Sequence, residues 1–525
     1  MGKTPGIRCE DLDAVKAEVL NVIEGEGKRL PGFVYGDVRL EVSEGCAAWA
    51  ENGEPKASVR DFELALGVRV VAGNGAAASG HYGLTLGPSD VSRLPQIVAE
   101  AIGHSHERAR AGAARKRAAA ERFPGAGGSL SSYELAPIEV RQDVVAAIYE
   151  TDPRSIDPQA ACRLCTDISK AVAGVSGDVR YNAVQAVTFL ARDIFASSEG
   201  ALIDRSYALT QGMHFVVANN GEAGQEHYDY IGHQRGWEVL ERGITDESLL
   251  ACPGLHEFAL GLAREAVELC AAPPLPASEG EVTVVTDPHY NALLAHEIIG
   301  HPTELDRALK WETAYAGRSW LLGDLDRSRI GEQIASPLVT AYSDPSLPGY
   351  GHYEYDHEGT PARKVVHIDR GVFSGFMNSR QTAALTGAEP NGHYRATDAS
   401  LVPLIRMSNT CIAGGRTSRE QIISEVEDGY YLVAMRVPSI SESRENFRIT
   451  ARRAYEIRGG RIGQLYRDGG VTSDSKDFLS SVDAVGSDFR LSPIPNCGKG
   501  QPMQVKKLGN GAPTLRSRAR VTGRG

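Results

Sequence analysis

Two histidines and a glutamate stand close together in Ala295-His296-Glu297-Ile298-Ile299-Gly300-His301-Pro302. Neutral imidazoles are metal ligands, and a carboxylate beside one of them can take a proton from a water that the metal acidifies. That is the chemistry of metal-assisted hydrolysis. In the familiar zinc-protease helix the two His lie four residues apart on one face. Here His296 and His301 are five apart, which on an ideal α-helix turns the second about 140° away from the first. Pro302 offers a way round, because the residue before a proline is disfavoured in the helical region. The expectation is a helix from Tyr290 to Gly300 that comes apart at His301, with Gly300 easing the bend. Leu293, Leu294, Ile298 and Ile299 surround the trio. Burying two His and a Glu among them is costly unless they are paired or ligate something.

A catalytic zinc takes three protein ligands and keeps a position open for water. Glu304, Asp306 and Glu312 follow closely, and His352, His357, His367, His393, Cys411 and Cys497 are more distant candidates. Cys497 has the strongest local case. Pro495-Asn496-Cys497-Gly498-Lys499-Gly500 reads as a loop whose glycines allow close approach, and Lys499 would favour the thiolate. These residues alone leave the choice open.

The elements that must position these groups read as α+β. An N-terminal α/β region is followed by a β-rich, curved or barrel-like C-terminal domain carrying the motif helix. The chain's 525 residues suggest about three domains, expected at 1–128, 129–276 and 277–525. In the first, a helix through Val15, Val19 and Ile23 precedes strands at 34–42 and 62–71, with Asn52-Gly53 as a hairpin turn. A long helix from Ser89-Asp90 to about Phe123 leads to a linker, Pro124–Ser129. In the second, helices are expected at 140–150 and 157–172. Strands follow at 179–189 and 207–217, joined through a polar stretch containing Asn219-Asn220-Gly221, and a helix at 249–271 closes the region. Ala272-Pro273-Pro274-Leu275-Pro276 is the clearest linker. Beyond it come a strand at 281–286, the motif helix, short strands at 353–355, 364–368, 372–377, 430–435, 454–457 and 461–466, and a helix at 418–426 with Ser418 and Gln421 as a capping box.

Composition narrows the class. The chain is 42% hydrophobic and 23% charged, as in ordinary globular proteins. A net charge of −11 argues against nucleic acid or an anionic membrane as partner, and Arg516, Arg518, Arg520 and Arg524 read as a solvated tail. Residues 1–5 lead into no apolar signal core, and no stretch reaches membrane-spanning length. Eight scattered Cys make no disulfide framework and suggest a reducing cytoplasm.

The block Asn291–His301 resembles the active-site helix of the TldD/PmbA family of metalloproteases. The likeness continues through Glu358-Gly359-Thr360-Pro361, Gly375-Phe376-Met377 with Arg380-Gln381, Arg406-Met407-Ser408-Asn409-Thr410, Ser480-Val482-Gly486 (spaced) and Cys497-Gly498-Lys499-Gly500-Gln501. Leu66–Val70 and Ala78-Ser79-Gly80 are similar to the family's N-terminal domain. The resemblance implies that His296, His301 and Cys497 bind Zn2+ and that Glu297 is the general base. It implies a TldD-type catalytic subunit, an endopeptidase for unfolded proteins or peptides enclosed in a homodimer, or in a heterodimer with a PmbA-type subunit. Pro302-Thr303-Glu304-Leu305-Asp306 departs from the Gly-rich continuation of many relatives, which bears on substrate preference. Some relatives mature peptide natural products, so a dedicated peptide substrate is an alternative.

Other signals are weaker. Gly73-Asn74-Gly75-Ala76-Ala77-Ala78 resembles a dinucleotide fingerprint, but the residues after it break any phosphate-cradling helix. Cys162 and Cys165 fit an amphipathic helix core better than a redox pair. Arg406, Asn409 and Thr410 are candidates for gripping a peptide backbone, and His289 reads as structural. The competing class is a non-catalytic peptide-binding or scaffold subunit with a structural metal.

Overall fold

Asn52 and Gly53 both sit at positive φ, 51° and 79°, in the hairpin geometry that matches strand twist. They join β1 (Phe33–Glu51) to β2 (Glu54–Asn74). Gly75, at φ 76°, turns β2 into β3 (Ala76–Leu86), so the glycine-rich run 73–78 is a hairpin with no helix after it. The computed structural model describes residues 8–27, 29–123, 133–315, 317–322 and 328–523; the linker expected at Pro124–Ser129 lies outside them. Helices α1 (Lys16–Gly27) and α2 (Leu94–Arg122) bury Val19, Ile23, Val98 and Ile102 against Val38, Leu40, Leu66 and Val68 of the strands.

The sheet then continues through β4 (Gln142–Val145), β5 (Val179–Ser197), β6 (Leu202–Asn219) and β7 (Gly224–His233). Its order is β3-β2-β1-β5-β6-β4, with β7 also on β6, and β1 pairs β5 from Asp37–Ser197 to Glu51–Ala183. The regions expected at 1–128 and 129–276 therefore share one curled sheet. Three local expectations are corrected. Residues 140–150 form no helix: Val140, Val144 and Ile148 mimic a helical repeat but are exposed, and the backbone pairs with the start of β6 instead. Asn219-Asn220-Gly221 turns β6 into β7, not β5 into β6. The helix expected at 249–271 begins only at Leu255, as α5 (Leu255–Ala271), and a separate short helix, α4 (Glu238–Arg242), precedes it.

Between β4 and β5 lies α3 (Pro158–Ala173), capped by Asp157, which packs with α5 on Ala48, Val184, Ala186 and Val216. Cys165 is in this core, where burial pushes its thiol up to about 12. It is an inert packing residue.

The linker 272–276 is anchored at its centre. Leu275 is fully buried and its N–H donates to Arg467 O at 2.8 Å. After it come β8 (Glu281–Thr286), helix α6 (Pro288–Ala295), and the short strands β9 (Ala341–Ser343), β10 (Val365–Asp369), β11 (Val372–Phe373), β12 (Tyr394–Arg395), β13 (Leu404–Ile405) and β14 (Asn409–Ile412). Then follow β15 (Asp428–Ile440), β16 (Asn446–Arg458), β17 (Arg461–Tyr466), β18 (Gly470–Asp474), β19 (Ala484–Val485), β20 (Arg490–Lys499), β21 (Gln504–Ala512) and β22 (Leu515–Thr522). Ser418 caps the helix Arg419–Ser424, but the Gln421 side chain donates to Glu425 and closes no capping box.

Strands β15, β8, β22, β18 and β16 pair in that order, and β16 pairs back to β15, which closes a small barrel. The expected solvated tail is thus mostly a strand. Leu515, Ser517, Ala519 and Val521 are buried and Arg516, Arg518 and Arg520 take the alternate face, while Arg524 lies outside the described residues. A second sheet, β11-β10-β9-β14-β21-β20, brings β20 and β21 alongside α6. The architecture is α+β, with a barrel-like C-terminal half.

Candidate metal centre

Helix α6 is fixed before the motif begins. Asp287 caps it through Tyr290 N and also accepts from Ala434 N. Tyr290 Oη donates to Ile449 O at 2.8 Å, and Asn291 Nδ2 donates to Thr286 O and Pro513 O, both at 2.9 Å. Tyr290, Leu293 and Leu294 enter the barrel core.

At the motif the helix does not come apart. His301 keeps helical angles, φ −63° and ψ −42°, and its N–H donates to His296 O, five residues back. This is a single π turn, the one-residue widening found often at functional sites. It removes the angular offset of the i, i+5 spacing, so that both rings face one point, with centroids 4.7 Å apart and planes at 83°. Pro302 begins the next tight turn. The Thr303 hydroxyl donates to Ile299 O and Gly300 O, at 2.9 and 2.8 Å, where the helix ladder has changed register. Gly300 is helical too, and its role is space. A Cβ there would lie 2.0 Å from Met407 Sδ.

Cys497 reaches the same point from β20. Pro495–Gly500 is largely strand, not the expected loop, and a break in the β20–β21 register between Ile494 and Cys497 re-aims the chain there. Cys497 Sγ lies 3.6 Å from His301 Nε2. The ligand atoms of His296, His301 and Cys497 all fall within 4.8 Å of one another, the one such group among the described residues.

The outer partners orient the rings. Asn510 Oδ1 is 3.1 Å from His296 Nδ1, and its amide is held by donation to Thr410 O at 3.1 Å. Glu304 Oε2 is 3.0 Å from His301 Nδ1. With Nδ1–H donated outward on both rings, each Nε2 is left for a metal. Burial alone would raise the Cys497 thiol, but His301, His296 and Arg406 outweigh it and hold it well below the usual value. Burial, with the Arg444 charge, keeps His301 low. On His296, Cys497 and Asn510 outweigh burial and raise it. Two imidazoles and a thiolate are a borderline-soft donor set that suits a metal of zinc type.

Glu297 lies beside this point with 13% of its side chain exposed, and Arg444 Nη1 donates to its Oε2 at 2.5 Å. Burial pushes the carboxyl up, yet Arg444, His296 and His301 together hold it at about 2. Arg444 occupies left-handed backbone, φ 64°, a strained state for a non-glycine residue that clusters at active sites. A cavity of about 260 Å³ opens onto His296, Glu297, His301 and Cys497. Tyr228, Asp229 and Tyr230 of β7, Met435, Arg436 and Pro438 of β15, and Pro493 and Pro495 of β20 are among its walls.

Other expected site residues have different places. Lys499 is fully buried and binds Asp306 Oδ1 at 2.7 Å, Glu304 Oε2 at 3.2 Å and Ile405 O at 2.6 Å, so it supports the ligand shell and not the thiolate. Arg406, Asn409 and Thr410, expected as substrate contacts, are also fully buried and direct their polar groups within the chain. Arg406 donates to Cys497 O and Gln504 O, Asn409 to Asp344 O and Leu347 O, and Thr410 pairs with Ser343. They brace the strands that carry Cys497 and Asn510. Of the distant candidates, His352 pairs with Glu354, His357 with Arg39, His367 with Ser343 and Gly375, His393 with Asn391, and Cys411 packs in β14. His289 accepts from Met435 N at 3.2 Å, a structural contact. Arg444 and Asn510 carried no sequence signal that singled them out, although Gly509 and Gly511 flank Asn510. A Cβ at Gly509 would strike Asn409 Oδ1 at 1.9 Å.

A curled sheet is set against a barrel-bearing domain, with a His-Glu…His helix opposite a strand cysteine, so that the fold presents one candidate metal centre among the described residues. Residues 279–523 match the PmbA/TldA metallopeptidase C-terminal domain. A metalloprotease of Methanothermobacter thermautotrophicus is 32% identical over 372 residues, 71% of this chain and 76% of that protein. A zinc metalloprotease TldD homolog of Saccharolobus solfataricus is 29% identical over 45% of this chain and 50% of its own length. The crystal structure of TldE from Thermococcus kodakarensis shares the fold, with a TM-score of 0.66 at 17% identity over 96% of this chain and all of that one. The chain belongs to the PmbA/TldD family of metallopeptidases.

Proposed function

We infer that the chain is a zinc-dependent endopeptidase that cleaves unfolded proteins or peptides. The observation that carries this reading is the convergence of His296 Nε2, His301 Nε2 and the Cys497 thiolate beside Glu297, at the floor of a cleft. Asn510 and Glu304 would hold the two imidazoles neutral and aimed, and Arg406 would hold the Cys497 backbone. When bound, zinc supplies a Lewis acid for the scissile carbonyl and acidifies a water. Arg444 grips Oε2 of Glu297 and keeps the carboxylate ionised, so Oε1 is the atom that takes the proton from water and delivers it to the leaving amine. The Tyr228–Tyr230 and Pro493–Pro495 walls would confine an extended chain across the floor.

In this reading the protein works as a homodimer, or with a PmbA-type subunit, in the cytoplasm. No helix among the described residues is long and apolar enough to cross a membrane. The test measures bound zinc and cleavage of an unfolded peptide together. Glu297→Ala is expected to keep zinc and lose cleavage, while His296→Ala and Cys497→Ala lose both. Normal cleavage by Glu297→Ala would overturn the mechanism, and zinc retention with no cleavage by the wild-type chain, alone or with a PmbA-type subunit, would favour a binding subunit.

A further inference from the structure

A second cavity, of about 320 Å³, lies between β6, the loop 346–354 and the start of β21, and it shares no lining residue with the metal cleft. Its charge is unusual in a chain of net −11. Arg205, Arg235, Arg395, Lys506 and Lys507 line it, against Glu247 and Glu354. Both carboxylates are already engaged, Glu247 by Arg235 and His233 and Glu354 by His352. Arg205 is paired with Asp193. The other three cations have only neutral partners among the described residues. Lys507 Nζ donates to Gln211 Oε1 at 2.6 Å, Lys506 Nζ donates to Ala396 O at 2.8 Å, and Arg395 donates to Met407 O and lies 3.9 Å over the Tyr353 ring. Arg395 Nε is buried with no partner.

An ammonium has three N–H donors, and each lysine spends one within the chain. Lys506, Lys507 and the stacked Arg395 guanidinium line one recess, none of them in an ion pair with a carboxylate, and such recessed cations are unfavourable unless an anion offsets their electrostatic cost. Burial, with Arg395 beside it, lowers Lys506 to about 7, and burial lowers Lys507 to about 8. Glu41 of β1 and Asp193 of β5 face Lys506 from the first sheet and Asp356 lies near Arg395, but none of the three forms an ion pair with them. The lining also carries aromatic and apolar groups, Phe189, Tyr207, Tyr350 and Leu209, beside the polar Ser206, Gln234, Ser346 and Thr397. A site of this kind complements an anion joined to an apolar body.

We propose that this cavity binds a small organic anion, a carboxylate or a phosphate ester on an aromatic or apolar group, through Lys506, Lys507 and Arg395. The free N–H groups take the anionic oxygens by charge-assisted hydrogen bonds, while the tyrosine and phenylalanine rings cover the body.

The test is titration calorimetry on the full, metal-loaded chain with four probes: N-acetylphenylalanine, its neutral amide, phenyl phosphate and inorganic phosphate. N-acetylphenylalanine, phenyl phosphate or both should bind saturably, and the amide at least about tenfold more weakly than the acid. Binding of the acid alone assigns the site to carboxylates, and of phenyl phosphate alone to phosphate esters. Lys507→Met and Lys506→Met should each weaken binding by about tenfold or more, with melting temperatures equal to or above wild type because a recessed unpaired charge is gone. Should either Met variant fail to fold, Lys507→Gln and Lys506→Gln carry the same expectation. Saturation by inorganic phosphate alone, an amide that binds as well as the acid, affinities unmoved in the lysine variants, or no saturable binding of either organic anion would overturn the proposal.

Discussion

Replacing Asn510 by leucine tests whether the metal centre is built from its outer partners inward. The side chains are nearly isosteric, so the change removes polarity without opening a cavity. His296 Nδ1 loses its 3.1 Å acceptor and Thr410 O its 3.1 Å donor, both in a buried setting. Each unpaired group costs about 1–3 kcal/mol, so the metal-free chain should lose about 2–6 kcal/mol of stability, a large part of a typical margin. Metal affinity should fall separately. With no acceptor at Nδ1 the ring is free to turn and to place its proton on either nitrogen. Loss of such an orienting partner costs about 10–100-fold in affinity, or about 1.4–2.7 kcal/mol. Urea denaturation of the metal-free variant reads the first quantity, and competition with a chelator reads the second. A folded Asn510→Leu chain whose zinc affinity matches wild type would refute the orienting role of Asn510, and with it the argument that His296 Nε2 is preset for a ligand.

Gly300→Ala drives a Cβ into Met407 Sδ; the overpacking should cost about 1–3 kcal/mol, read as a lower urea midpoint, and an unchanged midpoint would show that Met407 yields freely. Glu304 is held well below the ordinary carboxylate value of 4.5 despite burial, by Lys499, His301 and Arg307. A depressed carboxylate contributes stability that is full above its unfolded value and lost as pH falls through the folded one. The metal-free chain should therefore weaken on acidification from about pH 5 downward, and Glu304→Gln should be less stable at pH 7 with a shallower acid limb; an acid limb of wild-type steepness in thermal melts would contradict this assignment.

The candidate groups His296, Glu297 and His301 were legible because their chemistry is carried by residue identity. Their geometry was not. The π turn is accompanied by the Thr303 hydroxyl serving two carbonyls of the preceding turn and by Met407 packing on Gly300, the latter a contact across more than a hundred residues of sequence that no local rule contains. Cys497 could be ranked but not chosen from its neighbours, since its approach is set by the β20–β21 register. Arg406, Asn409 and Thr410 stood out as polar, yet polarity does not say whether a side chain faces a cleft or braces a strand from inside. The barrel was visible as short alternating strands, whereas its closing strand β22 hid behind alternating arginines that resembled a tail. Glu358 and Arg380, also prominent in the sequence, belong to a clamp. Glu358 binds Arg69 Nη1 at 2.6 Å and Arg380 N at 2.7 Å, which ties the first sheet to the C-terminal half.

Strand β22 also has a bearing on when the candidate metal centre comes into being. It lies between β8, which leads directly into the motif helix, and β18. Until translation has passed residue 522, β8 lacks one neighbour and the barrel beneath the helix stays open. Cys497 and Asn510 emerge only shortly before that point, some two hundred residues after His296. A ribosome making this chain would therefore carry a nascent protein whose His296 and Cys497 stay apart until some two hundred further residues have been made, so that assembly of the candidate metal centre is timed by synthesis itself.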